Sequence, residues 1–322
     1  MPSWKPTTTH QARIARAELL RLIREFFYKR DVLEVDTPLL SNGTVTDEHL
    51  DAFETPFHFS ATGKTTSLFL QTSPEYAMKR LLCAQSGSIY QIGKAFRHEG
   101  EGRWHNPEFT MLEWYRVGFN HFDLMDEVDA LLMEVLATRP SDKLTYQQAF
   151  KEHVGLDPLD TTDIALLNAM RDNNIDIHEP ETLSVDSKLQ LLFSYCVEPK
   201  IGQQKPCFIY DFPASQAALA KINPDDARVA QRFEVYFQGA ELANGFNELS
   251  ASQEQRARFE EDNAKRQASG LPVKPIDELF LEALDAGLPE CAGVALGVDR
   301  LLMLKMGATH IQQVINFPVS RA

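Results

Sequence analysis

The run Phe96-Arg97-His98-Glu99, a glycine-bearing loop, and then His105-Asn106-Pro107-Glu108-Phe109-Thr110-Met111-Leu112-Glu113 constrains this chain more than any other segment. Residues 88–96 and 107–117 read as strands on either side of that loop, which fixes the spacing of an arginine, two acids and an aromatic ring. Alternate residues of a strand share a face. Phe109, Met111, Glu113 and Tyr115 therefore point one way, and Thr110, Leu112, Trp114 and Arg116 the other. Arg97, on the preceding strand, can reach the cleft that the first set faces. A guanidinium is a planar fork of donors that stays charged and matches a phosphate. Much later, Gly293-Val294-Ala295-Leu296-Gly297-Val298-Asp299-Arg300 supplies a second arginine. Two separated arginines with carboxylates nearby suit a polyphosphate chelated to a metal, so the expectation is an ATP-using enzyme.

The remaining pattern is mixed. Residues 8–30 form a helix with Leu19, Leu20, Ile23, Phe26 and Phe27 on one face, and 32–38 read as a short strand stopped by Pro38. Ser73-Pro74-Glu75 opens a helix through about residue 83, where serine can cap and proline fits the first turn. Residues 122–137 form an amphipathic helix, and 144–205 a helical insertion without a catalytic signal. Strands are expected at 208–212, 232–237 and 293–298, and helices at 252–269, 276–286 and from Arg300 onward. Strands next to strands, with helices between groups, argue for an α+β fold whose sheet is mainly antiparallel and flanked by helices. Neither a GxxxxGK[ST] loop nor a GxGxxG turn occurs, which disfavours the common nucleotide folds.

Composition excludes several function classes. With 322 residues, 43% of them hydrophobic, the chain can bury a large core. A net charge of −14 means no general field attracts nucleic acid, and Lys79-Arg80 or Lys265-Arg266 are too short to form a basic patch. Cys83, Cys196, Cys207 and Cys291 are widely spaced and read as reduced thiols, not as a zinc or disulfide framework. The start, Met1-Pro2-Ser3-Trp4-Lys5-Pro6, lacks the apolar core of a signal peptide, and no run reaches membrane-spanning length. A soluble, cytoplasmic protein is expected.

Further candidates for chemistry lie outside the first motif. Gly293 and Gly297 suggest a strand whose backbone approaches a ligand closely. Glu241-Leu242-Ala243-Asn244-Gly245-Phe246-Asn247-Glu248 holds two carboxylates seven residues apart. Asn244-Gly245 is expected to interrupt any regular strand there, letting both acids converge despite opposite parity. An oxygen-only ligand set favours Mg²⁺, normally held by one or two carboxylates plus substrate phosphates. Glu75 either favours the helix dipole or receives a substrate ammonium.

These motifs resemble class II aminoacyl-tRNA synthetases. Phe96-Arg97-x-Glu99 with His105, Phe109 and Glu113 is similar to their motif 2, and Gly293-x-Ala295-x-Gly297-x-Asp299-Arg300 to their motif 3. The first helix with Val35-Asp36-Thr37-Pro38 is similar to motif 1, which implies a homodimer. Thr72-Ser73-Pro74-Glu75-Tyr76, Lys79-Arg80-Leu81-Leu82 and Glu241-Leu242-Ala243-Asn244-Gly245-Phe246 narrow the resemblance to the lysyl type. Motif 1 begins almost at once, leaving no room for an OB-fold anticodon domain, and Ala295 stands where lysyl synthetases usually carry glycine. Both departures resemble the short lysyl-tRNA synthetase-like ligases that attach (R)-β-lysine to elongation factor P.

The resemblance implies a single catalytic domain over residues 1–322, with ATP as substrate, Mg²⁺ as metal, elongation factor P as acceptor, and neither tRNA nor membrane as partner. It implies Arg97 on the α-phosphate, Arg300 on the γ-phosphate and adenine against Phe109. His98, Glu99, Asn106, Glu241, Leu242 and Gly297 complete the nucleotide site, and Glu241 and Glu248 hold the metal. Ser73, Pro74, Glu75, Tyr115, Glu248 and Ala295 meet the amino acid, Ala295 crowding its pocket. The competing readings are a lysyl-tRNA synthetase acting on tRNA and a non-catalytic synthetase paralogue.

Overall fold

The computed structural model describes residues 4–322, so the reading of the first three residues lies outside the described part. The chain divides into two compact units, residues 1–119 with 249–322, and residues 120–248.

In the first unit, α1 (His10–Tyr28) starts at Thr9, whose hydroxyl accepts from Ala12 N–H, and buries Leu19, Ile23, Phe26 and Phe27. Leu20, expected on that face, is only half-buried because it lies at its edge. Phe27 stacks on Tyr90 at 4.4 Å and meets Trp114 edge-on at 5.3 Å. That packing fixes the helix against β5 (Ile89–Phe96) and β6 (Glu108–Val117). The strand expected over 32–38 shrinks to β1 (Leu33–Glu34), which pairs in parallel with β5. The order is β1, β5, β6, β11 (Cys291–Gly297), and the β5–β6 and β6–β11 pairs are antiparallel. A separate antiparallel sheet escapes the sequence pattern: β2 (Leu40–Ser41), β4 (Thr65–Leu70) and β3 (Glu54–His58), in that order. Every residue of β3 is exposed, so no buried alternation marks it.

Helix α2 (Glu75–Cys83) lies against α8 (Glu278–Gly287), with Tyr76 stacked on Phe280 at 4.6 Å. Pro74, not Ser73, occupies its N-cap, while the Ser73 hydroxyl accepts from Glu75 N–H. Helix α7 (Ser252–Ala268) carries Arg266, which is buried and donates to the carbonyls of Asp47 and Pro272. Helix α9 (Val298–Met306) follows β11 directly.

The second unit begins with α3 (His121–Leu136), closed by a reciprocal capping box between Asn120 and Asp123. Its strands run in the order β10 (Ala240–Asn247), β9 (Val229–Phe237), β8 (Cys207–Pro213), β7 (Asp142–Thr145), with only the β7–β8 pair parallel. Helices α4 (Tyr146–His153), α5 (Asp163–Asp172) and α6 (Val185–Leu192) make the helical region expected at 144–205. They bury Tyr146, Phe150, Leu166, Leu189 and Phe193 with Ile209, Phe212 and Tyr236 of the strands. Each such side chain contributes roughly 1.5–3 kcal/mol of hydrophobic stabilisation, which is why this helical region is firmly built. The four cysteines are free thiols, three of them buried. No described helix is long and apolar enough to cross a membrane.

Candidate active site

In the first unit, the pairing of β5 with β6 sets Ala95 opposite Phe109, and Arg97 continues past the strand end with its N–H on the Pro107 carbonyl. The Arg97 guanidinium then lies 5.3 Å from the Phe109 ring centre, within cation–π range. His98 and Glu99 are exposed; the His98 ring packs on Phe53 and its Nδ1 lies 3.6 Å from Asp51. Asn106 is buried, and both ends of its amide bond the protein: Nδ2 donates to the Glu108 carbonyl and Oδ1 accepts from Val319 N–H. Its carboxamide therefore pins the base of the loop to the chain's last turn.

Arg300 comes from α9, yet its guanidinium lies 2.9 Å from His105 Nε2 and 3.4 Å from the Trp104 carbonyl, both in the motif 2 loop. Its neighbour Asp299 is buried and fixes the backbone around it, taking the N–H of Thr110 and the guanidinium of Arg16 from α1. One helix, one strand and the second arginine are thus tied at a single carboxylate.

Farther along the same face of β6 lies a denser cluster. Glu113 is buried, accepting at one oxygen from the Ser73 hydroxyl and at the other from the Tyr115 hydroxyl, both at 2.6 Å. Burial, with the charge of Glu75 adding to it, raises the Glu113 carboxyl from 4.5 to about 7, while the two hydroxyls and Lys79 oppose the rise. Glu75 itself accepts from the Lys79 ammonium at 2.6 Å. Ala295 is the residue of β11 directly opposite Glu113, and Gly293 and Gly297 stand opposite Tyr115 and Met111. Two glycines and one methyl group therefore line the carboxylate's face of the sheet, and a Cβ at Gly297 would meet the Arg300 side chain first, at 3.6 Å.

In the second unit, the expectation that Asn244-Gly245 breaks the strand is overturned. Both residues are in register, Asn244 opposite Glu234 and Gly245 opposite Phe233. The irregularity is a bulge between Glu241 and Ala243, so Leu242 is the extra residue. Glu241 faces Tyr236, Asn244 faces Glu234 and Phe246 faces Arg232, and these three β9 residues share one side of the strand. The bulge cancels the odd spacing, which brings Glu241, Asn244, Phe246 and, by alternation, Glu248 to that one side. Pro74, Leu242 and Glu248 are buried; Glu241 is half-buried. Beneath them Glu234 takes hydrogen bonds from Arg232 and Tyr236. Burial raises its carboxyl to about 7; the Arg232 charge opposes this and that of Glu241 adds to it. The paired acids form an all-oxygen donor set on one face, which fits Mg²⁺ bound through two carboxylates and substrate phosphates. Among the described residues there is no group of three or more metal-binding side chains.

A family model described as tRNA synthetases class II (D, K and N) matches residues 4–321. The chain belongs to the class II tRNA synthetases. Among its relatives, proteins named elongation factor P–(R)-β-lysine ligase are 57% identical in Vibrio atlanticus, covering 99% of both chains. The protein of that name from Vibrio cholerae is 58% identical over 99% of this chain and 98% of its own, and that from Proteus mirabilis is 54% identical over the same shares. The α+β architecture of this class II synthetase is as its sequence leads one to expect. His105, Lys79 and Asn244 are given no role by sequence reasoning, although each stands inside a quoted motif, and Glu113 is placed on the cleft-facing side of its strand without being assigned a ligand; the i, i+4 spacing of Glu75 and Lys79 is the signal that pointed to the lysine.

Proposed function

We infer that this class II synthetase is an ATP-dependent ligase that activates (R)-β-lysine as an adenylate and transfers it to the ε-amino group of a lysine on elongation factor P. The observation that carries this reading is the match, over about the full length of both chains, to relatives named for that reaction. The carboxylate-rich pocket of the first unit supports it, because a substrate with two ammonium groups needs acidic partners.

In the proposed cycle Arg97 takes the α-phosphate, Arg300 the γ-phosphate, and Phe109 the adenine face. His98, Glu99, Asn106 and Gly297 of the first unit and Leu242 of the second complete the nucleotide contacts. Glu241 and Glu248 would hold Mg²⁺, which supplies charge neutralisation to the phosphates when bound. Ser73, Pro74, Glu75 and Tyr115 receive the substrate amines, with Glu248 also facing the amino acid and Ala295 limiting its pocket. Held this way, the substrate carboxylate attacks the α-phosphorus and pyrophosphate leaves. A neutral ε-amine of the acceptor then attacks the adenylate carbonyl, forming an amide and releasing AMP. Positioning and charge complementarity supply the acceleration, and no protein nucleophile is needed. Residues 1–322 are read as one catalytic domain with a helical insertion at 144–205, acting as a cytoplasmic homodimer without tRNA.

Mass spectrometry of elongation factor P incubated with the protein, ATP and (R)-β-lysine tests the reading. One β-lysyl group on one lysine is expected. Transfer to tRNA with the protein acceptor left unmodified would overturn it in favour of a tRNA-charging enzyme.

A further inference from the structure

The carboxylate of Glu75 is gripped on one side. Lys79, one turn later on α2, places its Nζ 2.6 Å from Glu75 Oε1. The lysine side chain is fully buried, whereas that of Glu75 retains 17% exposure. Among the described residues nothing donates to Glu75 Oε2. The Lys79 ammonium also lies 5.9 Å from the Phe280 ring, which is stacked on Tyr76. Glutamate and lysine at i, i+4 ordinarily form a solvated pair worth a few tenths of a kcal/mol. Here the ammonium has been stripped of water, and desolvating an ion costs several kcal/mol unless close partners compensate. A buried cation kept at that cost, on the residue expected to receive a substrate amine, calls for a role beyond helix stability.

Resting on the ligase reading, we propose that Lys79 is a positioning residue of the amine pocket: it fixes Oε1 of Glu75, leaves Oε2 to an ammonium of the amino-acid substrate, and offsets one of the two negative charges that Glu75 and Glu113 bring together. One serine couples these two acids, for the Ser73 hydroxyl accepts from Glu75 N–H and donates to Glu113. Burial, and after it the charge of Glu75, pushes the Glu113 carboxyl up; the hydroxyls of Ser73 and Tyr115, and then the charge of Lys79, pull it down. With the lysine charge removed, Glu113 keeps its proton to higher pH, and a neutral carboxyl no longer adds its charge to that of Glu75 in holding the ammonium. A substrate with an amine on its side chain is therefore bound well at neutral pH only while Lys79 is charged.

The test is amino-acid-dependent pyrophosphate–ATP exchange with (R)-β-lysine, followed as a function of pH for the wild type, Lys79→Met, Lys79→Gln, Lys79→Arg, Glu75→Gln and the Glu75→Gln/Lys79→Met double variant. Both uncharged substitutions should raise KM for (R)-β-lysine about ten- to a hundredfold, the range for losing a hydrogen bond to a charged group, with KM for ATP unchanged. Their KM should fall back toward the wild-type value as pH rises, and Lys79→Arg should retain most of the affinity. Because Lys79 acts through Glu75, the double variant should be no worse than Glu75→Gln alone. If Lys79→Met does not fold, the double variant, which removes both charges together, and Lys79→Gln, which keeps a donor, still carry the comparison. Wild-type KM and pH profile in a folded uncharged variant, or additive losses in the double variant, would overturn the role of Lys79 while leaving the ligase intact. A wild-type protein that gives no exchange with (R)-β-lysine would bring down the ligase reading and this role together.

Discussion

Replacing Glu113 by glutamine should make the protein's stability less dependent on pH. In the folded chain this carboxyl titrates at about 7, against 4.5 for an unperturbed glutamate, chiefly because it is buried. Below about pH 4.5 the acid is protonated in both folded and unfolded chains, and its neutral form contributes in full. Between there and about pH 7 the unfolded chain ionises and the folded one does not, so stability falls as pH rises. At about 1.4 kcal/mol per pH unit, the whole interval is worth at most roughly 3 kcal/mol. Glutamine shows none of this. It also weakens one of the hydrogen bonds from Ser73 or Tyr115, but that penalty is the same at every pH. Glu234, the other buried acid near 7, is present in both proteins and cancels in the difference. Denaturant unfolding of both proteins at several pH values should therefore show Glu113→Gln gaining on the wild type as pH rises from about 5 to 8, by one to three kcal/mol or so. A difference that stays flat within about 0.5 kcal/mol would refute the assignment of a protonatable acid to this pocket.

Three further outcomes are expected. Arg97→Ala and Arg300→Ala should each abolish pyrophosphate–ATP exchange while circular dichroism stays native, and near-normal exchange in either would remove the phosphate roles. Ala295→Gly, opposite Glu113 in the sheet, should narrow the preference for (R)-β-lysine over α-lysine; the ratio of kcat/KM values reads it, and an unchanged ratio counts against a pocket role. Arg232→Met leaves Glu234 buried without its ion-pair partner and should cost about 3–5 kcal/mol in a denaturant titration, whereas a loss below about 1 kcal/mol would mean the pair is solvated.

The parts of this molecule that sequence reveals are those whose pattern is local. The buried face of α1 and the alternation of β6 follow from spacing, and so does the pairing of Arg97 with Phe109. The sheet of β2, β3 and β4 is silent because β3 is wholly exposed and carries Pro56, so neither hydrophobic alternation nor uninterrupted donors announce it. Strand β1 is held by a long-range parallel partner, and its length reflects where β5 begins, not its own residues. Asn244-Gly245 looks like a breaker by composition, but a strand tolerates both when its neighbour supplies the ladder. Lys79 reads as half of a small basic pair, and only the packing of α2 on α8 turns Arg80 outward and buries its neighbour.

The extra residue at Leu242 makes parity a requirement of this strand. Seven positions on from Glu241, Glu248 would fall on the far side of an unbroken ladder; the two acids meet only because Leu242 stands outside the pairing. Removing Leu242 itself would leave an even spacing and the acids together. Removing one residue from 243–247, with the bulge kept, would turn over everything downstream and carry Glu248 to the opposite side. Chain length beyond the bulge is therefore a tighter requirement than the identity of the residues that fill it.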